Sequence, residues 1–179
     1  MFATLKKKLE KRALESIRSK VSASRIRRFT PLNQVKSVVL LYRVDGATIS
    51  TDLYNFIGQF ERRGAAVDVV LVSKRTDAQE KLDDKENFYY IGHQDIKWYG
   101  VPKSDKILEV LQKNHDYFID LTMMERGICT YLANASMAKF KIGGINYPNS
   151  PYDLIIDVSS DVDLGFFEEQ MMVYLQKIG

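Results

Sequence analysis

The chain has 179 residues, 45% hydrophobic, 11% aromatic and 27% charged, which fits one folded domain and excludes a disordered, collagen-like or low-complexity chain. One cysteine, Cys129, rules out an intramolecular disulfide and a cysteine-only metal cluster, and no apolar stretch is long enough to span a bilayer. The net charge of +3 is uneven: residues 1–28 hold ten Lys/Arg against Glu10 and Glu15, giving +8, while the rest of the chain sums to −5.

Residues 1–30 read as a basic amphipathic arm on an acidic body that occupies 31–179. Phe2, Leu5, Leu9, Ala13, Ile17 and Val21 recur every three to four residues and so share one helix face. Lysines and arginines cover the remainder, until Thr30-Pro31 interrupts the helical pattern. Met1–Leu5 runs straight into Lys6 without the apolar core or small-residue cleavage site of a secretion signal. The expectation is a cytoplasmic protein, with peripheral membrane association as the variant that the basic helix suggests. Asn134-Ala135-Ser136 is formally a glycosylation sequon, discounted because it falls in a predicted helix.

Ser37–Tyr42 is a continuous apolar run, as expected of a strand buried on both faces. Ser50 or Thr51 can cap a helix carrying Leu53, Phe56, Ile57 and Phe60, and Gly64 suits its left-handed end. Ala66–Val72 follows as a second strand, Lys74–Glu86 as a loop and Phe88–Ile91 as a short strand. His93–Pro102 reads as an irregular connection. Ser104 then opens a helix with Ile107, Leu108 and Leu111 on one side, and Tyr117–Leu121 returns as a strand. Thr122-Met123-Met124-Glu125 matches a capping box ahead of a helix lined by Met124, Ile128, Tyr131, Leu132 and Ala135. Phe140–Ile142 and Leu154–Val158 complete the strands around a turn-rich Tyr147–Pro151. Asp161 or Asp163 caps a closing helix with Phe167, Met171, Tyr174, Leu175 and Ile178 inward. Alternating strands and helices predict an α/β fold: a three-layer Rossmann-like domain with a mainly parallel sheet and the strand over 37–43 at its centre.

The chemistry is sparse. His93 and His115 are isolated, and neither the dinucleotide nor the P-loop glycine fingerprint follows the first strand, so the sequence implies no metal and no cofactor. Ser136-Met137-Ala138-Lys139 spells S-x-x-K, but at the end of a helix and without its companion motifs. Cys129 reads as a small buried hydrophobe. Trp98-Tyr99-Gly100-Val101-Pro102 reads as a plug over one end of the sheet, the alternative being a partner patch. Asp45, Asp120 and Asp157 lie at or near strand C-termini, the edge where open α/β sheets bind ligands. A small-molecule site there would use Asp45, Thr48, Ser50, Thr51, Asp120, Thr122, Glu125 and Arg126.

Asp95–Pro102, Ala138–Gly143 and Tyr152–Asp157 together resemble the spaced signature of a family of small bacterial α/β proteins to which no activity is attached. Asp116–Leu121 with Ser136–Gly143 is similar to the N-terminal Rossmann-like half of heptosyltransferase-type glycosyltransferases, a likeness over about a fifth of the chain that implies the fold. The sugar-nucleotide site of those enzymes lies mainly in a second domain, so the resemblance argues against an independent transferase. The leading expectation is therefore a non-catalytic binding or accessory module. It would engage an anionic membrane, a nucleic acid or an acidic protein through Lys6, Lys7, Lys8, Lys11, Arg12, Arg18 and Lys20. The alternative is a small ligand-binding domain or enzyme at the sheet edge. The arm's apolar stripe needs cover, from its own body, from a second copy in a homodimer, or from a membrane interface.

Overall fold

The computed structural model describes residues 2–44, 48–73, 85–125, 127–158 and 164–178. Six parallel strands, β1 (Ser37–Val44), β2 (Ala66–Ser73), β3 (Phe88–Ile91), β4 (Tyr117–Asp120), β5 (Phe140–Gly143) and β6 (Leu154–Ile155), form one sheet in the order β3-β2-β1-β4-β5-β6. This is the doubly wound order, with β1 central, pairing β2 on one side and β4 on the other. The order in which strands are added reverses between β1 and β4, and Leu41 stands opposite Asp120 at that switch point.

Both faces of the sheet are covered. Val38 and Leu40 point into a core shared with α2 (Thr51–Glu61) and α5 (Leu164–Lys177). Val39 and Leu41 point into a second core with α1 (Phe2–Ser24), α3 (Lys106–Leu111) and α4 (Gly127–Ala135). All four are fully buried, which is why this strand reads as an unbroken apolar run. Ser50 caps α2 by accepting from the Leu53 N–H at 3.2 Å, and Gly64 after it has φ +80°. Cys129 is buried among apolar side chains.

Helix α1 packs on α4, and its stripe divides in two. Ile17 and Val21 are buried and Leu14 partly so, whereas Leu5 near the free end is 47% exposed. The cover is thus the chain's own body for the C-terminal half of α1. Beyond the helix the chain is laced down: the Arg28 N–H donates to the Lys139 carbonyl at 3.0 Å, and Phe29 packs edge-on against Phe140.

Several expectations are corrected. Thr122 does not cap α4, which starts at Gly127; its hydroxyl donates to Asp120, and Met123 turns to φ 52°, so Met124 precedes the helix rather than lining it. β6 stops at Ile155, and Asp157 is exposed beyond it. On α5, Glu168 and Met172 take the inward places of Tyr174 and Ile178, because the buried face is rotated and Ile178 follows the last turn. Trp98 is 52% exposed and packs edge-on against Tyr99. Asp161 and Asp163 and most of the 74–86 loop lie outside the described residues.

Candidate functional site

At the switch point the structure builds a closed polar cluster. Asp120 ends β4 and is 2% exposed. One carboxylate oxygen accepts from the Thr122 N–H (2.8 Å) and hydroxyl (2.6 Å), and the other accepts from the Tyr152 hydroxyl (2.6 Å). Burial pushes its pKa up, and the bonds from Thr122 and Tyr152 pull against that rise. Tyr152 can approach because Gly143 has no side chain: a Cβ there would stand 2.5 Å from the ring. Tyr147 packs edge-on against Tyr152, its own hydroxyl buried without a hydrogen-bond partner among the described residues. The Cys129 thiol nearby is pushed up to about 12 by burial and the Asp120 charge, which leaves it a poor nucleophile at neutral pH.

None of the other described residues expected at the sheet edge joins this cluster. Ser50 is committed to its cap, Thr48 and Thr51 are exposed, and Asp45 and Arg126 lie outside the described residues. Glu125 instead lines a cavity of about 290 Å³ with Lys7, Lys11, Tyr99 and Tyr131, between the free half of α1 and the start of α4. Lys139 of the S-x-x-K sequence holds Asp116 at 2.8 Å, and the Asn134 amide is buried between Thr130 and Arg18, closed to glycosylation. His115 contacts Asp68 at 3.0 Å, and His93 is exposed.

The expected anionic-surface residues separate along α1. Lys6 and Lys11 face Glu10 and Glu15 at 3.9 Å, exposed pairs of little energetic weight. Lys7, Lys8, Arg12 and Lys20 form no ion pair among the described residues, and Lys7, Lys8, Arg12 and Lys20 are all exposed. Arg18 points the other way, donating to the Asn134 side chain and the Asn149 carbonyl, both at 3.1 Å.

Sequence reasoning missed what stands beside Arg18. Arg25 is almost wholly buried, donating to the Ala138 (2.6 Å) and Lys139 (3.1 Å) carbonyls and pairing with Asp153. Arg27 reaches the same carboxylate at 3.8 Å. From β5, Lys141 is 1% exposed and donates to the Ala133 carbonyl at 2.9 Å in the last turn of α4. Burial drives its pKa down to about 7; Arg25 and Arg27 push the same way and Asp153 opposes them. Arg18, Arg25, Arg27 and Lys141 line one cavity of about 210 Å³ with Ser22, Asn134 and the Asn149–Pro151 turn. The legible signal was a lysine between Phe140 and Ile142, a charge inside a buried strand.

No curated protein and no solved structure matches the chain, so the likeness to heptosyltransferases gains no support. The model of a family of unknown function, DUF6913, matches residues 6–178, and the chain belongs to that family.

Proposed function

We propose that the protein is a binding module that attaches to anionic lipid surfaces through the free half of α1. The observation that carries this reading is the division of one helix. Its C-terminal half is docked on the body, while Lys7, Lys8, Lys11 and Arg12 face solvent around the exposed Leu5. Each such cation is worth about 1 kcal/mol near an anionic bilayer, so four supply roughly 4 kcal/mol, enough for reversible attachment. Leu5 favours lipid over nucleic acid, because a phosphate backbone offers an apolar side chain nothing and a bilayer interface does. No described helix is long and apolar enough to cross a membrane, so the attachment is peripheral. The sheet-edge alternative has less behind it, since both Asp120 oxygens are already bonded within the fold.

Sedimentation with vesicles tests this. Full-length protein should bind phosphatidylglycerol-containing vesicles, release as salt rises, and ignore phosphatidylcholine alone. Lys7→Gln/Lys8→Gln/Arg12→Gln should lose most of that binding. Affinity indifferent to lipid charge and ionic strength, or retention of duplex DNA without vesicle binding, overturns the proposal.

A further inference from the structure

We propose that the cavity between the C-terminal half of α1, β5 and the Asn149–Pro151 turn is a binding site for a small tetrahedral oxyanion of the phosphate or sulfate type. Four cationic side chains reach it, Arg18 from α1, Arg25 and Arg27 from the segment after α1, and Lys141 from the sheet. The carboxylate set against them is Asp153, which Arg25 already engages at its guanidinium and which also accepts the Lys141 backbone N–H at 2.8 Å. A buried ammonium whose described contact is one carbonyl is an expensive arrangement unless an anion completes it. The rim adds neutral donors suited to phosphate oxygens: Ser22, Ser150 and Asn149. At about 210 Å³ the cavity falls below the range of drug-sized ligands and suits a compact ion or the phosphate end of a small ester.

The site lies toward the opposite end of α1 from Lys7, Lys8 and Arg12, so it does not depend on the lipid-surface reading. A second consequence follows from its composition. Burial, Arg25 and Arg27 press against the Lys141 charge, Asp153 opposes them and Arg18 lines the same cavity, so that Lys141 loses its proton near pH 7. An anion that needs the ammonium binds only the protonated fraction, so its apparent affinity falls as pH rises.

Calorimetric titration of the full chain with sodium sulfate, which does not itself titrate here, is the test, with sodium chloride at matched ionic strength as control. Saturable one-to-one binding is expected, with Kd about tenfold weaker at pH 8 than at pH 6. Arg27→Ala, at an exposed side chain that the fold does not need, should weaken binding about tenfold or more. Lys141→Met should weaken it and flatten the pH dependence. Inorganic phosphate and glycerol 3-phosphate as competitors distinguish a site for the free ion from one for esters. Sulfate acting no differently from chloride, or Arg27→Ala and Lys141→Met both binding as wild type, overturns the proposal.

Discussion

Replacing Lys141 by Met isolates the energetic burden of its buried charge. Methionine keeps most of the apolar stem, so packing between β5 and α4 is largely preserved, and the bond to the Ala133 carbonyl is lost at about 1 kcal/mol independent of pH. The remaining effect is electrostatic. The ordinary lysine value of 10.5 falls to about 7 in the fold, so the folded state disfavours the charged form. The burden is fully present below pH 7, where both states carry the proton. It lifts as pH climbs from about 7 towards 10.5, where the unfolded chain holds a proton that the native state has released.

Between pH 6 and pH 9 this group alone should stabilise the wild type by roughly 3 kcal/mol, from about two pH units beyond the folded value at 1.36 kcal/mol each. The Met variant lacks that term. Urea unfolding in buffers free of phosphate and sulfate should therefore show its stability relative to wild type falling by roughly 3 kcal/mol between pH 6 and pH 9. A difference between the two proteins that stays constant across that range refutes the reasoning, because it would mean that Lys141 is solvated like a surface lysine. Adding sulfate at pH 6 should selectively stabilise the wild type, since the anion supplies the missing counter-charge.

Two further outcomes follow from the cluster at the end of β4. Asp120→Asn keeps an acceptor for Thr122 and removes a charge whose folded pKa is raised, so the variant should gain on the wild type as pH rises above the ordinary carboxylate value; guanidinium unfolding at pH 4 and pH 8 reads this, and a loss that grows with pH contradicts it. The Cys129 thiol, buried and pushed to about 12, should react with a thiol reagent in native buffer at least a hundredfold more slowly than in denaturant, and comparable rates would show that the start of α4 is open.

The sheet was legible because its central strands are buried on both faces, and Ser37–Tyr42, Ala66–Val72 and Tyr117–Leu121 then admit little but apolar residues. The central place of the strand over 37–43 followed from the alternation of strands and helices. What failed were places where a side chain has a competing use. The Thr122 hydroxyl fits a capping box on paper, yet a buried carboxylate two residues earlier claims it. Asp120 could be placed at the sheet edge, but its engagement by Tyr152, thirty-two residues onward, leaves no local trace. The basic cavity was hidden more completely. Arg18 meets Asn134 and Arg25 meets Ala138 across more than a hundred residues, and only the docking of α1 on α4 brings those positions together.

That docking also changes the meaning of the charge asymmetry. Read along the chain, ten cations in the first 28 residues look like one basic arm facing an acidic body. In the fold they do different work. Arg25 is held by two backbone carbonyls and Asp153, and Arg18 by an amide and a carbonyl, so these two fasten the helix while lining the basic cavity. Two of the body's acidic groups are engaged within the body, Asp68 by Lys113 and His115, and Asp116 by Lys139. Attraction between the arm's net charge and the body's therefore does not explain the lysines at the free end, whose described partners are only Glu10 and Glu15 one turn away. Folding fixes the position of that half-helix without using its charge. A positive surface left over after the fold's own electrostatic needs are met is available to something outside the chain.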